Sequence, residues 1–362
     1  MNSSAKYWIA FSSIEQLDSK FIVDLYEHYG DIEKAWNCSD IKTIEGMSIK
    51  KAENFLRLRD KINPDEKLNY VLEQDISFIN YDDKNYPKLL KEISNPPATL
   101  YYKGNLNQCN LNRTLAVVGS RRATRGIKDV LPKIISELGG TDLCIVSGLA
   151  SGVDTIAHKS AIENNLKTIG VIASGHNYVY PSSNRELYKK IEDGYGVVMS
   201  EYYPTLAPIQ FRFPQRNRIV TGLSYGTLVA EAALKSGALI SAGLCLEQGR
   251  ELMCVPGLIT NPNTAGIYKL LKNGATLVTC GEDILNALGW ELRQRKQLKL
   301  DLEQYSEEES SIIDVIKYEP ETFDTLLQKT KMNSDTLLVL LTGLEIKGKI
   351  SQIEGQKYKL NN

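Results

Sequence analysis

The sequence predicts an α/β protein: a central Rossmann-like, doubly wound parallel sheet, flanked by an N-terminal helical module and a C-terminal winged helix. Three observations lead there. Six short apolar runs, Leu115–Val118, Cys144–Val146, Thr168–Ile172, Gly196–Met199, Thr227–Ala230 and Glu251–Val255, alternate with amphipathic stretches. Runs apolar on both faces, spaced by helices, are the pattern of a parallel sheet covered on both sides. Ahead of them the apolar positions repeat at helical period, and behind them three helical patterns lead into two short alternating strands. A length of 362 residues, with 42% hydrophobic and 24% charged, suits a globular chain of two or three domains and fits neither disorder nor coiled coil.

Taken in order, residues 1–75 carry Phe21, Leu25, Tyr29 and Ile32 at helical spacing, with turn signals at Gly30-Asp31 and Gly46. Within them Ile41 to Ala52 reads as a helix-hairpin-helix, SAM-like element, with Gly46 in the tight turn and Ser48 capping the following helix. An αα-corner packed on the next domain fits the same residues equally well. Residues 76–290 form the sheet domain. Residues 291–309, charged and without an apolar stripe, read as a linker. In 310–362, helical patterns at Ile312–Ile316, Phe323–Leu327 and Thr336–Leu344 precede a hairpin over Lys349–Leu360 that turns at Gly355. That is a winged helix, and contact with DNA or with protein are both open for it.

The charge sum, 43 Lys+Arg against 44 Asp+Glu, excludes a wholesale polycation but not a basic binding face on a neutral whole. The apolar patch Tyr7–Phe11 is too short for a signal-peptide core and no run reaches membrane-spanning length, so a cytoplasmic protein without a membrane partner is expected. The six cysteines contain no CxxC, and His28, His158 and His176 are scattered. No metal site and no cofactor are therefore expected, and the thiols should be reduced and mostly buried.

Chemistry should lie in the loops that follow the strands. The first strand ends in Gly119-Ser120-Arg121, where a glycine permits close approach, a hydroxyl can donate and a guanidinium can fork onto phosphate at a helix start. There is no G-x-G-x-x-G and no P-loop, which withdraws support from nicotinamide cofactors and ATP. The second strand ends in Ser147-Gly148-Leu149-Ala150-Ser151-Gly152, a second amide-rich turn, followed by Asp154, which orients the loop, and His158, a general base or, more often in such a place, a structural histidine. Arg185 follows the polar loop after the third strand.

The most informative stretch is Gln210 to Ser224, where Arg212, Arg216 and Arg218 interleave with Phe211 and Phe213 beside Asn217. No Asp or Glu occurs between Glu201 and Glu231, nor between Glu92 and Asp129, an interval holding Lys103, Arg113, Arg121, Arg122, Arg125 and Lys128. Arginines that track phosphates beside rings that stack on unpaired bases suit single-stranded nucleic acid. Buried ion pairs are the competing role for one or two of these arginines, Arg218 more readily than Arg212.

In these blocks the chain resembles the DNA-processing protein A (DprA/Smf) family. The resemblance rests on Val118-Gly119-Ser120-Arg121, Ser147 through Asp154 with His158, Tyr180-Pro181 with Asn184 to Leu187, Ser200-Glu201-Tyr202, Phe213-Pro214 with Arg216 to Ile219, Gly222-Leu223-Ser224, Ser236-Gly237-Ala238, Leu246 to Arg250 and Val255-Pro256-Gly257. It implies a non-enzymatic homodimer that binds single-stranded DNA on the sheet domain, protects incoming strands and helps load the RecA recombinase in transformation or recombination. The DNA pocket implied comprises Gly119, Ser120, Arg121, Ser147, Gly148, Arg185, Arg212, Phe213, Arg216, Asn217 and Arg218. Ser151, Gln210 and Tyr268 depart from the family's usual arginine, lysine and asparagine; the first two remove charge from the groove. The alternative is a phosphoribohydrolase-like enzyme on the same type of sheet, since Gly222 to Glu231 resembles its P-G-G-x-G-T-x-x-E motif without the Pro-Gly-Gly and with Glu231 one residue late.

Overall fold

A computed structural model describes residues 4–41, 44, 48–290, 306–317, 319–353 and 355–361. It divides into two compact units, Met1–Leu292 and Arg293–Asn362.

The first unit opens with five helices: α1 (Ala5–Ser12), α2 (Ser19–Tyr29), α3 (Ile32–Asn37), α4 (Ile49–Arg59) and α5 (Pro64–Glu73). Their ends follow local chemistry. The Asp18 carboxylate caps α2 by accepting from the Phe21 amide at 3.0 Å, and Gly30 ends it at φ +67°, a left-handed position that glycine takes without strain. The apolar patch at Tyr7–Phe11 lies in α1, with Trp8, Ile9, Ala10 and Phe11 wholly buried. Phe11 stacks on Phe55 and meets Trp36 edge-on, each at 4.9 Å. Of the expected hairpin, residues 42–43 and 45–47, Gly46 among them, lie outside the described residues; Ser48 does occupy the position before α4.

The sheet comprises β1 (Ser77–Asn80), β2 (Thr99–Gly104), β3 (Thr114–Gly119), β4 (Cys144–Ser147), β5 (Lys167–Val171), β6 (Gly196–Ser200), β7 (Gly226–Glu231), β8 (Glu251–Cys254) and β9 (Thr276–Leu277). Their order is β1-β2-β6-β5-β4-β3-β7-β8-β9. From β6 to β9 every pairing is parallel, and all six apolar runs fall in this part. The sheet as a whole is mixed, because β1 and β2 add an antiparallel edge onto β6. An antiparallel edge strand need not be apolar on both faces, so a search for doubly apolar runs passes over it.

The helices among these strands are α6 (Lys88–Lys91), α7 (Arg125–Glu137), α8 (Val153–Glu163), α9 (Arg185–Lys190), α10 (Arg212–Gly222), α11 (Gly237–Glu247), α12 (Ala265–Lys272) and α13 (Gly281–Ala287). The two-residue alternation of a strand divides the core in two. Leu115 and Val117 pack with Ile127, Leu131 and Ile134 of α7 on one face. Ala116 and Val118 belong to the opposite core, which takes in Ile219 and Val220 of α10 and runs on without a break into Trp8, Phe11 and Leu25 of the first helices. Five of the six cysteines are buried.

The second unit is a winged helix: α14 (Glu307–Ile316), α15 (Phe323–Thr330) and α16 (Ser334–Ile346), with β10 (Glu321–Thr322), β11 (Ile350–Ile353) and β12 (Lys357–Leu360) in the order β10-β12-β11. Ile312, Leu326, Leu337, Leu341, Leu344 and Tyr358 make its core. Residues 291–305 of the expected linker lie outside the described residues, and α14 begins in a capping box in which Ser306 and Glu309 each bond the other's amide at 3.1 Å. Among the described residues no helix is long and apolar enough to cross a membrane.

Candidate functional site

From β3 the chain builds outward through β4, β5 and β6 on one side, then returns to build β7, β8 and β9 on the other. The order reverses between β3 and β7, and the carboxyl ends of the strands diverge there into a crevice. A cavity of about 670 Å³ occupies it, walled by Gly119-Ser120-Arg121 after β3, Gly148 and Ala150 after β4, Phe213 and Asn217 on α10, and Ser236 to Ala238 at the start of α11. A second cavity of about 330 Å³ adjoins it beside Ser151, Tyr180 and Pro181. Arg121, Tyr180 and Phe213 border both. The Arg121 guanidinium lies 5.0 Å from the Phe213 ring centroid, and the Tyr180 ring meets Phe213 edge-on at 5.5 Å. Arg121 and Arg122 are exposed on the rim of the smaller cavity, and Arg125 and Lys128 are exposed on α7 that follows.

Helix α10 has two working faces. At 100° per residue Phe213, Arg216, Asn217 and Val220 fall on one side, and these line the large cavity. Phe211, Gln215 and Arg218 fall on the other and line a cavity of about 310 Å³ against the first helices. This periodicity divides the three arginines of the basic-aromatic stretch. Arg212, only 2% exposed, gives Nη2 to Glu15 Oε1 at 2.7 Å and Nη1 to the Ala207 carbonyl, with its guanidinium 4.8 Å from the Tyr202 ring. Arg218 gives Nη2 to Glu201, which also accepts from the Ser19 hydroxyl at 3.0 Å. Arg216 faces the cavity yet is 4% exposed; its Nη1 donates to the carbonyls of Gly148, at 2.6 Å, and Val171. Burial pulls this guanidinium down to about 10, against the opposing charge of Asp154, so it stays protonated at neutral pH.

The chain's own carboxylates occupy the turn after β4 and the start of α7. Asp154 Oδ2 accepts the Gly148 and Ala150 amides at 3.1 and 3.2 Å. Burial pushes its carboxyl up, and Arg216 and those two amides hold it back. At the start of α7, Thr124 gives its amide and its hydroxyl to buried Glu231 at 3.2 and 2.5 Å, so the dipole end expected to draw phosphate already holds an anion. Gly148 is required here, because a Cβ would stand 2.4 Å from Arg216 Nη2. Gly152, at φ +82°, lets its loop press on the β3 turn, where a Cβ would stand 2.3 Å from the Ser120 carbonyl. The first turn of α11 carries no acidic residue, and Gly237 and Ala238 face the cavity.

The crevice thus gathers Gly119, Ser120, Arg121, Gly148, Phe213, Arg216 and Asn217. Ser120 Oγ accepts from the Arg122 amide at 3.1 Å. Ser147 is wholly buried and donates to the Val117 carbonyl at 2.6 Å. Arg185 is exposed at the start of α9 and lines neither cavity. Arg113, from the first acid-free interval, pairs with Asp142 at 2.8 Å. His158 is a core residue whose Nδ1 donates to Thr168 Oγ1 at 2.7 Å, since that hydroxyl spends its proton on Ile145; burial holds the imidazole down at about 3. Gln210 lines the large cavity and Ser151 the smaller one, both uncharged. Tyr180, which carries part of the family resemblance but is not among the implied pocket residues, enters the site beside Phe213. Glu15 carried no signal at all.

Residues 77–289 match the family described as DNA recombination-mediator protein A, and residues 295–356 match the DprA winged helix domain. The DNA processing protein DprA of Streptococcus pneumoniae is 38% identical over 269 residues, 74% of this chain and 93% of its own length. That of Bacillus subtilis is 40% identical over 216 residues, 60% of this chain and 72% of its own. The solved S. pneumoniae protein superposes with a TM-score of 0.67 at 33% identity, covering 79% of this chain and 98% of that one. A solved Helicobacter pylori DNA processing protein A, described for its single-stranded DNA binding mode, gives a TM-score of 0.53 at 30% identity over 59% of this chain and 95% of its own.

Proposed function

The chain belongs to the DNA recombination-mediator protein A family, and from that premise we propose that it binds single-stranded DNA in the crevice between β3 and β7, as a recombination mediator and not as an enzyme. One observation carries the reading: an exposed arginine, Arg121, set against a half-buried phenylalanine, Phe213, at the mouth shared by two cavities. A guanidinium there can meet a backbone phosphate while the ring takes an unpaired base. The groups an enzyme would need are otherwise engaged, with Asp154 on two loop amides, Glu231 on Thr124 and His158 held neutral in the core.

In this reading Arg121, Phe213 and Asn217 touch DNA, with the Gly119-Ser120 turn and the first turn of α11 beside the backbone. Gly148, Ser147 and Arg216 shape the wall, Arg212 and Arg218 hold α10, and Arg185 stays exposed outside the crevice. The winged helix, 310–362, and the helical module, 1–75, flank the binding domain, 76–290. Loading of the RecA recombinase, assembly as a homodimer and a cytoplasmic setting follow from the same premise.

The test is a titration of labelled oligo-dT and of a duplex of equal length with the full chain at several salt concentrations. Preference for the single strand is expected, and Arg121→Ala should weaken binding and make the slope of log K against log salt shallower by about 0.7. Equal binding of both strands, or an unchanged slope, would contradict the assignment. Adding RecA to the same titration, and sedimentation of the chain alone, test the two partners.

A further inference from the structure

Helix α10 stands between two cavities, and what fixes its rotation lies on the side away from the DNA reading. The residue before α10, Phe211, gives its start no side-chain cap. Its first residue, Arg212, instead reaches across 197 positions of sequence to Glu15, in the turn that joins α1 to α2. Farther along, Arg218 bonds Glu201, which in turn holds Ser19, the first residue of α2. Both clamps therefore tie α10 to the same point of the helical module. Arg212 and Phe213 are neighbours about 100° apart on the helix. With Arg212 fixed to Glu15, the Phe213 ring is aimed at Arg121 and Tyr180.

We propose that Glu15 is a positioning residue for single-strand binding, acting through Arg212 to hold the Phe213 ring at the angle at which a base can stack on it. The helical module is then part of the binding machinery without touching DNA. This rests on the single-strand reading above and adds that the module sets the base contact and leaves the phosphate contacts alone. The Arg212 side chain is 2% exposed while that of Glu15 is 50% exposed, so removing the carboxylate charge withdraws the ion pair without opening the core, leaving Arg212 only its bond to the Ala207 carbonyl and its place over the Tyr202 ring.

The experiment compares the full chain with Glu15→Gln for binding to oligo-dT and to an abasic strand of equal length. The variant should lose about three- to fivefold on oligo-dT, the scale of one half-exposed charged contact, and nothing on the abasic strand. In a Phe213→Ala background the same change should have no further effect. Arg212→Lys, which keeps the charge and loses the fork, should reproduce the base-selective loss and covers the case in which Glu15→Gln folds poorly. Equal losses on both strands, full additivity with Phe213→Ala, or wild-type affinity for oligo-dT would each overturn the positioning role. A wild-type chain that retains neither strand would sink the single-strand reading itself, whereas wild-type retention with an unaffected variant removes only the role of Glu15.

Discussion

Arg216 separates a structural arginine from a phosphate-binding one. Replacing it by Met keeps most of the stem volume and removes the guanidinium that braces the carbonyls of Gly148 and Val171 and faces Asp154. Breaking a buried pair by deleting one partner costs about 3–5 kcal/mol. The lower end applies, because the Asp154 carboxylate keeps the Gly148 and Ala150 amides. For a unit as long as Met1–Leu292, about 3 kcal/mol corresponds to a fall of roughly 5 °C in Tm. The loss should depend on pH. Asp154 is already pushed up by burial, and without Arg216 it rises further. A carboxyl whose folded value lies above its unfolded one contributes stability below the unfolded value and loses it as pH rises through the folded value. The deficit of Arg216→Met should therefore shrink at pH 5 relative to pH 8. Thermal melts of the full chain at both pH values, beside an oligo-dT titration, decide it. An unchanged Tm at both, with a salt slope shallower by about 0.7, would refute the buried strut and place Arg216 on a phosphate.

Gly152→Ala should cost at least about 2 kcal/mol, since it joins a strained φ of +82° to a Cβ 2.3 Å from the Ser120 carbonyl, and the displaced turn should also lower oligo-dT affinity; chemical denaturation at unchanged affinity would contradict the link. Glu231→Gln keeps the shape of the α7 cap and removes its charge, so a loss of about 1 kcal/mol is expected, and release of product from a nucleoside monophosphate by the wild type alone would give Glu231 a chemical role in its place. His158, held down at about 3 by burial, binds its proton more weakly folded than unfolded, so its contribution is complete above pH 6.5 and lost as pH falls towards 3. Melting across that range should show the decline in the wild type and a weaker one in His158→Gln.

Much of the fold was legible along the chain because its signals are local. Six of the seven parallel strands, all but the two-residue β9, are doubly apolar runs, α2 ends where Gly30 takes a left-handed turn, and the winged helix follows from three helical patterns and a glycine hairpin. The antiparallel edge was not legible: β1 and β2 are strands through their pairing, and neither bears the apolar signature of a central strand. The site divides the same way. Glycines and hydroxyls at strand ends mark the crevice, because a parallel sheet puts its ligand outside the carboxyl ends of its strands.

The sequence by itself determined the parallel core of the sheet and the strand-end loops that wall the crevice, while the family resemblance put Arg121 and Phe213 in one pocket. Only the tertiary structure decided which charges remain available there. The two acid-free intervals are acid-free in sequence alone: Glu231, which closes one of them, returns to cap α7, Glu201, which opens it, pairs with Arg218, and Glu15 reaches across 197 positions to take Arg212. Electrostatic energy depends on separation in space and on burial, neither of which is a function of separation along the chain. Folding sets a carboxylate or a carbonyl against Arg212, Arg216 and Arg218, whereas the contact of Arg121 among the described residues is an aromatic ring, which leaves its charge for a ligand in the proposed reading.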